Sequence, residues 1–383
     1  MVGGGPAGSA VANRLSEDTN INVLLIEAGP AGRDEPSIQV PGMCGDAIGS
    51  IYDWNISTVS QAHLDNSPRF LPKGHGLGGG SIINGLLWSR GSAMDYADCV
   101  ALGNEGWAWS DLLPYFMKSE TYSPIPSVEL AVQFSIEEDP TVHGSSGPVS
   151  VSFPHYIWNE SAVLFSALNE LGVPTAYDPN NGRIAGASFL PLNIDPNTQS
   201  RSTARTAYLD SAITRPNLWV NTGQYVTQVL FADASINPNA ASSTVDPTTS
   251  GEGSSPGTPG SIYGGGTIPM GMSLWASIKR TIMPRQTAAE PTATGATTLT
   301  AVGVEYAADS QSIRQTISAT REVIIAAGAL HSPQLLLLSG VGPASTLEVL
   351  EIPVNIDSSG VGSNLQDHRT APFTSHDTAQ GVR

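Results

Sequence analysis

The feature that most constrains this chain is a glycine-rich turn close to its start. Gly3, Gly5 and Gly8 satisfy the spacing G-x-G-x-x-G, a helical segment follows, and the apolar run 22–26 ends directly before Glu27. In a strand–turn–helix–strand unit, the first glycine permits the tight turn, the second lets the backbone approach a pyrophosphate, and the third lets the helix pack against the strand. This order predicts an α/β, Rossmann-like dinucleotide-binding domain.

The ends of these elements indicate where a dinucleotide would lie. A helix N-terminus offers free backbone amides to phosphate oxygens, and the helix that carries Gly8 would place its first amides there. Glu27 and Ala28 follow the apolar strand, where a carboxylate accepts hydrogen bonds from an adenosine ribose. A glycine-rich turn without a ligand is the alternative, and the motif alone does not separate NAD from FAD. The apolar residues predicted to form the buried face of the helix are Ala7, Ala10, Val11 and Leu15.

The composition fits a globular enzyme and excludes several other classes. Of 383 residues, 40% are hydrophobic, 13% are charged and 40 are glycine, as in a loop-rich globular chain. The formal charge of −17 would be repelled by nucleic acids and anionic membranes, so small neutral partners are expected. No apolar run approaches the roughly 18 residues that span a bilayer. Cys44 and Cys99 leave open one disulfide bridge, two buried thiols, or neither.

The start of the chain is unusual for this motif. A parallel strand normally precedes the turn, but only Met1 and Val2 precede Gly3. We therefore expect a truncated or misassigned start. No basic region or apolar stretch typical of a signal peptide is present. The sequons at Asn55 and Asn159 are no more than chance supplies, so localisation, including secretion of a full-length form, stays open.

A second glycine-rich tract separates FAD from NAD. Residues 72–95 read PKGHGLGGGSIINGLLWSRGSAMD, and here the chain resembles the glucose-methanol-choline (GMC) oxidoreductases. Their first signature, a glycine loop followed by Asn and a later aromatic residue, is matched by residues 78–88. The resemblance covers nearly the whole chain outside 232–298. The other matching segments are 201–204 (RSTA), 328–342 (GALHSPQLLLLSGVG) and 360–368 (GVGSNLQDH).

The resemblance implies a cofactor, a fold and a reaction. The cofactor is FAD, bound by a Rossmann-like domain that is joined to a partial α+β substrate-binding domain. An alcohol would lose its hydroxyl proton to a histidine while hydride passes from the same carbon to flavin N5. Oxygen or another electron acceptor would then reoxidise the flavin. Because residues 72–95 and 104–120 look like fungal members, an aryl or other primary alcohol is the favoured substrate, with sugars and choline as open alternatives.

The resemblance also assigns residues to the site. Glycines let the backbone lie against a flat ring without Cβ clashes, and their amides can face flavin and phosphate oxygens. Val226 would offer its backbone to the adenine, or be a plain core valine. Trp88 would wall the substrate cavity, or belong to the core. The residues predicted to bind FAD are Gly3, Gly5, Gly8, Glu27, Ala28, Gly80, Asn84, Gly85, Leu87 and Val226.

Two departures from the family pattern concern the cofactor. His75 stands where the family usually has Lys or Arg, so a permanent charge is replaced by one that is partial near neutral pH. In members that bond FAD to histidine, that histidine directly precedes the motif Asn, whereas here Ile83 precedes Asn84. Isoleucine cannot form the bond, so we expect FAD to be bound non-covalently.

The family's domain order predicts a divided FAD-binding domain. Residues 1–121 would form its first part, residues 122–195 a substrate-domain segment, and residues 196–231 and 299–373 its returning segments. Residues 232–298 are dominated by Ala, Ser, Thr, Pro and Gly, which predicts either a flexible insertion or an intron read through into protein. Within this scheme, paired strands are predicted at 218–231 and 299–306, a further strand at 322–327, and helices at 109–119, 162–171 and 332–339. Segment 29–69 is expected to run extended over the surface.

No catalytic residue is assigned. The family's histidine base and its His or Asn partner lie well beyond the matched 360–368 tract, and the chain ends at Arg383; the catalytic segment is therefore expected to be absent. No metal site is predicted. Two alternatives to a flavin alcohol oxidase or dehydrogenase stay open: a hydroxynitrile lyase on the same scaffold, and a non-catalytic truncated product. His368 closes the matched 360–368 tract, which is expected near the cofactor, and His331 occupies a variable position of the matched 328–342 segment. These two are interpreted as structural, as are the histidines in segments without a motif: His63, His143, His155 and His376.

Overall fold

A computed structural model describes residues 1–233 and 299–367. The chain forms two compact units, Met1–Ala327 and Gly328–Arg383. Most of the predicted insertion, together with His368 and His376, lies outside the described residues. The predicted domain divisions at residues 122 and 195 stay predictions.

The bounds of the regular elements are as follows. The helices are α1 (Pro6–Leu15), α2 (Pro36–Gln39), α3 (Ala93–Ala101), α4 (Trp109–Ser119), α5 (Val128–Gln133), α6 (Glu160–Glu170), α7 (Gly328–Leu338) and α8 (Ala344–Val349). The strands are β1 (Val23–Glu27), β2 (Ile56–Ser57), β3 (Phe70–Leu71), β4 (Glu120–Tyr122), β5 (Val149–Val151), β6 (Leu218–Thr222), β7 (Tyr225–Asp233), β8 (Leu299–Ala307), β9 (Gln315–Ser318), β10 (Val341–Gly342) and β11 (Ile356–Asp357).

A parallel sheet organises the larger unit, and the first residues of the chain take part in it. β1 pairs with β6 from Val23 opposite Leu218 to Glu27 opposite Thr222. On the other side of β1, Val2 bridges both Ile26 and Ile325 in parallel. The backbone amide of Val2 donates to Ile324 at 2.8 Å, and the amide of Ile26 donates to Met1 at 3.0 Å. Val2 thus extends the sheet by one bridging residue directly before the glycine turn, although it does not form a regular strand. The parallel pairing confirms the expected α/β, Rossmann-like fold.

The strand predictions are correct in type and partly wrong in extent. Segment 218–231 divides at Gly223, whose φ is +68°, so that β6 joins the parallel sheet while β7 pairs antiparallel with β8. Asp233 lies opposite Leu299, so β7 and β8 pair as the paired-strand prediction requires. The predicted strand 322–327 is wrong, since its described residues contribute only the bridge of Ile325 to Val2.

Helix α1 packs through small residues rather than through its most apolar ones. Its buried residues are Gly8, Ser9, Ala12 and Asn13, whereas Val11 is exposed. The predicted face is therefore wrong at Ala7 and Val11, which are exposed, whereas Ala10 is half-buried and Leu15 packs partly buried against the core. A helix that lies against the sheet at glycine distance has no room for larger side chains on its closest side. The residues of the core beneath it are Ala12, Val23, Leu25, Leu77, Leu209, Ala212 and Leu218.

Helices α4 and α6 are found where the sequence predicts them, whereas segment 29–69 differs from its prediction. Helix α4 has the predicted bounds; Ala108 is its N-cap, and Asp111 accepts the amide of Ala108 at 3.1 Å. Helix α6 ends before Gly172, close to the prediction. Segment 29–69 does not simply run over the surface, because it supplies part of a buried cluster. The members of that cluster are Ile38, Ala47, Tyr52, Ile82 and Ile83.

The smaller unit is built from α7, β10, α8 and β11. Val341 pairs with Ile356 in parallel, and Gly342 pairs with Asp357. The predicted helix 332–339 is confirmed but begins earlier, at Gly328. Leu335 and Leu337 on α7 and Leu347 on α8 are the buried apolar side chains of this unit among the described residues.

The described residues contain neither a candidate membrane-spanning helix nor a candidate metal-binding cluster. None of the helices there combines the length and the apolar character needed to cross a bilayer. In the same residues, no group of three or more His, Cys, Asp and Glu side chains is arranged to hold a metal ion. Both cysteines are free thiols; Cys44 is exposed and Cys99 half-buried, so neither a bridge between them nor two buried thiols is found.

A buried charge cluster joins the middle segments of the larger unit. Arg90 Nη2 lies 2.6 Å from Glu120 Oε1, and His143 Nδ1 contacts the same oxygen at 2.8 Å. His143 Nε2 lies 3.1 Å from Asp178 Oδ2, and all four side chains are almost fully buried. Tyr122 stacks on the imidazole with ring centroids 3.7 Å apart. Two cations thus face two carboxylates when His143 is protonated.

The cluster makes stability depend on pH through His143. Burial lowers the pKa of His143, but its hydrogen bonds to Asp178 and Glu120 and their charges outweigh this, and the pKa is raised above 6.5. A raised pKa in the folded state contributes stability that is complete below the unfolded value and is lost as pH rises through the folded value. The free energy of unfolding is therefore expected to fall as pH rises above neutrality.

Urea unfolding at a series of pH values measures this dependence. We expect the stability difference between the parent chain and His143→Asn to be large in mildly acidic buffer and to shrink as pH rises. His155→Asn is the matched control, because that imidazole is exposed. A difference between parent and His143→Asn that stays constant with pH would show that folding does not raise the pKa of this imidazole.

Candidate functional site

The first glycine turn is closed by contacts that admit no side chain. Gly3 has φ +95°, a conformation that L side chains rarely adopt. A Cβ atom on Gly8 would lie 1.9 Å from the carbonyl oxygen of Gly3, so only glycine lets α1 start this close to the strand. Pro6 begins the helix, and Gly5 precedes it as the N-cap without a side-chain cap. The helix N-terminus is therefore open at the carboxyl edge of the sheet, where ligands of such folds bind.

Glu27 ends β1 directly beside this turn. Its Oε2 accepts the amide of Gly4 at 2.6 Å, and its Oε1 accepts the amide of Gly29 at 2.8 Å. Burial raises the pKa of Glu27, while these two hydrogen bonds and the nearby His75 oppose the rise. The amide of Gly76 also hydrogen-bonds this carboxylate, so one of its roughly four lone-pair sites stays available for the predicted contact with a ribose hydroxyl. Ala28, the next residue, is half-buried at the same edge.

The second glycine tract lies directly against the first. The amide of Gly78 donates to Gly4 at 2.8 Å, and a Cβ atom on Gly79 would lie only 2.7 Å from Gly5 Cα. This close approach joins two turns that are more than seventy positions apart in sequence. The fold therefore brings the two predicted parts of the cofactor site together, although neither motif alone specifies that they meet.

The outer face of the second tract is open. A Cβ atom on Gly80 or on Gly85 would meet nothing within 4 Å, and Asn84 is exposed. Leu87, at 61% exposure, completes this surface, which we call the platform (Gly80, Asn84, Gly85 and Leu87). A flat ring could lie against Gly80 and Gly85, whereas side chains at these two positions would fill the space that the ring needs. The residues present therefore fit the predicted flavin.

An aromatic group surrounds the unusual histidine. His75 Nδ1 lies 2.9 Å from the carbonyl oxygen of Ile51, and its Nε2 lies 3.3 Å from the hydroxyl of Tyr225. The indole of Trp54 packs on the imidazole with centroids 4.4 Å apart. Sequence reasoning identified His75 by its departure from the family pattern but gave no signal for Trp54 or Tyr225. The three rings occupy the neighbourhood of Glu27.

Val226 and Trp88 lie in surroundings that allow both of their predicted roles. Val226 is half-buried on β7, and the strand register shifts between Val226 and Gln228, which leaves the local ladder irregular. Trp88 packs beside the buried Val149 and Val151, and its indole donates to Glu120 at 2.6 Å. These contacts give Trp88 a core function; its role in a substrate cavity stays a prediction.

The chain matches the sequence profile described as GMC oxidoreductase over residues 1–251 and 276–370. The chain belongs to the GMC oxidoreductase family. The match omits residues 252–275, which lie inside the predicted insertion. The FAD-binding domain fold of GMC oxidoreductases therefore accounts for the Rossmann-like sheet and for the adjacent glycine turns.

Several GMC relatives are similar over almost all of this chain. Dehydrogenase xptC of Emericella nidulans is 36% identical over 97% of this chain and 49% of its own length. An oxygen-dependent choline dehydrogenase of Pseudomonas fluorescens is 35% identical over 96% of this chain and 52% of its own length. The chain thus spans about half the length of the curated relatives it matches.

Solved structures give the same result for the fold. An FAD-dependent oxidoreductase from Chaetomium thermophilum superposes with a TM-score of 0.73 and 32% identity, over 93% of this chain and 50% of that one. A fungal aryl-alcohol oxidase gives a TM-score of 0.71 and 26% identity, over 98% of this chain and 54% of that one. The predicted resemblance to fungal members of the GMC family is confirmed.

The described histidines do not assemble a catalytic site. His143 is committed to the buried charge cluster, and His63 and His155 are exposed outside the platform. His331 lies on α7 of the smaller unit. None of these described histidines is assigned a catalytic role, and the absence of the catalytic segment stays a prediction.

Proposed function

We propose that this chain binds FAD non-covalently and provides the cofactor-binding part of an enzyme that oxidises the CH–OH group of alcohols. The observation that carries the proposal is the contact of the two glycine turns at Gly5 and Gly79. It sets an open helix N-terminus beside the platform, in which Gly80 and Gly85 carry no Cβ atoms. Membership of the GMC family, whose members use FAD, supports the same cofactor.

Each part of the site has a distinct task in this proposal. The first turn and the N-terminus of α1, with Gly3, Gly5 and Gly8, hold the pyrophosphate through backbone amides. Glu27 and Ala28 contact the ribose, and the backbone of Val226 contacts the adenine. Gly80, Asn84, Gly85 and Leu87 hold the isoalloxazine ring. Ile83, which precedes Asn84, is buried in the cluster with Ile38 and Tyr52, and its side chain offers no atom that could bond to the flavin.

The reaction proposed is that of the oxidoreductases named above. Bound flavin supplies a hydride acceptor at N5 for the alcohol carbon, and oxygen or another acceptor later takes the electrons. Alcohols are favoured as substrates because the similar proteins include a choline dehydrogenase and an aryl-alcohol oxidase by name. No described residue favours the hydroxynitrile lyase alternative. The inactive-product alternative is separated from the leading proposal by experiment.

Titration of the purified 383-residue chain with FAD tests the proposal. We expect saturable quenching of flavin fluorescence, a yellow protein after gel filtration, and release of all flavin into the supernatant on acid precipitation. Bleaching of the visible flavin absorbance by a primary aryl alcohol without oxygen would establish the alcohol reaction. Flavin that stays with the acid precipitate would contradict non-covalent binding.

Gly80→Val supplies the matched control. Nothing lies within 4 Å of a Cβ atom at this position, so the fold should tolerate the substitution while the side chain occupies the platform. We expect an unchanged unfolding midpoint and lost FAD uptake. Equal FAD affinity in the parent and Gly80→Val would place the flavin elsewhere. A chain that binds FAD but is not reduced by any alcohol would support the inactive-product alternative.

A further inference from the structure

We propose that Arg201 is a positioning residue for the cofactor, one that fixes the carboxamide of Asn84 so that its N–H donors face the flavin. This inference rests on the proposed FAD site and assigns a task to a residue that binds no cofactor in that proposal. Sequence reasoning recognised Arg201 only as the first residue of a matching tetrapeptide. The structure assigns it a place beneath the platform.

Arg201 is fixed at both its backbone and its side chain. Its amide donates to the carbonyl of Gln39 at 2.9 Å, and its backbone bridges Ile194. The side chain is 2% exposed, and its Nε donates to the carbonyl of Ile38 at 2.8 Å. Since Ile38 and Gln39 both belong to α2, the arginine is anchored to that helix before it reaches the platform.

The guanidinium then binds the loop that carries the platform. Nη1 donates to the carbonyl oxygen of Ser81 at 3.3 Å and to that of Asn84 at 2.8 Å. The same nitrogen contacts the side-chain oxygen Oδ1 of Asn84 at 2.7 Å. A planar guanidinium with donors in a fixed fork can serve α2 and the loop at once, which an ammonium group cannot.

These contacts decide which end of the Asn84 amide is available. Oδ1 accepts from Arg201 and also from the amide of Leu86 at 3.2 Å. Among the described residues, no hydrogen bond is made by Asn84 Nδ2, which is the donor end. Leu86 has φ +62°, a strained value for leucine that persists only where neighbouring contacts over-determine it. Arg201 and Asn84 together therefore hold the loop and leave two N–H donors for a ligand.

The charge of Arg201 is not neutralised by a nearby carboxylate. Among the described residues, Arg201 forms no salt bridge with an acidic side chain. It donates to backbone carbonyl oxygens and to Asn84 Oδ1, and it also hydrogen-bonds the Cys44 side chain. Burial lowers the pKa of the Arg201 guanidinium, and the adjacent Cys44 opposes this. Guanidinium groups stay protonated in proteins. Burying a cation without a carboxylate partner is costly. The presence of the Arg201 guanidinium beneath the platform therefore argues for a task there.

A double-mutant cycle on FAD affinity tests the inference. Arg201→Lys keeps the charge but loses the fork, and we expect it to weaken FAD binding by about ten- to a hundredfold, as expected for loss of a hydrogen bond to a charged group. Asn84→Ala should weaken binding similarly. Because Arg201 acts through Asn84, the double variant should bind no more weakly than Asn84→Ala alone. Losses that multiply would overturn the inference.

Two further measurements separate positioning from general stability. Arg215→Lys is the matched control, since Arg215 also binds a carbonyl oxygen, that of Asn13, and the Ser16 hydroxyl at 2.8 Å, but away from the platform. If the apo forms of both lysine variants unfold at similar urea concentrations, only Arg201→Lys should lose FAD affinity and blur the fine structure of the flavin absorbance band. Unchanged FAD affinity in Arg201→Lys would overturn the inference and leave the proposed function standing. A parent chain that takes up no FAD would overturn the proposed function and the inference with it.

Discussion

Gly8→Ala is expected to destabilise this chain severely. The added Cβ atom would lie 1.9 Å from the carbonyl oxygen of Gly3, and neither a Cβ atom nor a backbone carbonyl can move away by a change of side-chain rotamer. The loss should meet or exceed the upper end of the roughly 1–3 kcal/mol that overpacking costs, against a total stability of about 5–15 kcal/mol. Urea unfolding monitored by far-UV circular dichroism would measure it.

Gly5→Ala separates this steric effect from an effect on the cofactor. A Cβ atom on Gly5 would meet Gly79 Cα at 3.8 Å, an ordinary contact, and the φ of −73° at Gly5 suits alanine. We expect Gly5→Ala to unfold close to the parent midpoint but to lose FAD affinity, because its methyl group would meet the pyrophosphate. Equal unfolding curves for Gly8→Ala and Gly5→Ala would refute the packing argument.

Glu120→Ala is the second substitution from which a large effect is expected. Glu120 is fully buried and accepts hydrogen bonds from Arg90, His143, the Trp88 indole and the amide of Gly144. Its removal would leave the guanidinium of Arg90 buried without its closest counter-charge, a change that typically costs about 3–5 kcal/mol. Chemical denaturation at pH 6 to 7, where the cluster is complete, would give the value.

Glu17→Gln is the control for this prediction. Glu17 also pairs with an arginine, Arg14, at 2.6 Å, but both side chains are nearly half exposed. Surface ion pairs contribute only about 0.2–1 kcal/mol, so this substitution should leave the unfolding midpoint almost unchanged. Similar losses in Glu17→Gln and Glu120→Ala would mean that the buried cluster has no special weight in stability.

The sequence predicted the two glycine-rich turns better than the packing of the helix and strands around them. The spacing of Gly3, Gly5 and Gly8 is informative because each position excludes a side chain for its own steric reason. The structure shows this at Gly3 and Gly8, where an added Cβ atom would clash with backbone. The buried face of α1 was missed because hydrophobic periodicity follows large apolar residues, whereas this helix packs through glycine, serine and alanine. Strand 322–327 was over-predicted because its apolar composition does not reveal how many residues find a partner.

Long-range polar contacts could not be predicted from the sequence. Arg201 reaches the platform from a position 117 residues away from Asn84, and no local pattern marks that pairing. The interpretation of His143 as structural is supported by its place in the charge cluster, but its partners Glu120 and Asp178 lie 23 and 35 residues away. Such contacts arise from topology, which short motifs do not encode.

The buried charge cluster also bears on the order in which the chain folds. Its hydrogen bonds close loops of 23, 30, 35 and 90 residues, whereas the first glycine turn closes within a few positions. Closing long loops costs chain entropy before any contact repays it. The turn and α1 can therefore form early, while the cluster assembles late. An interaction absent from the folding transition state acts mainly on the unfolding rate, so the cluster would set how long the native chain survives rather than how quickly it forms.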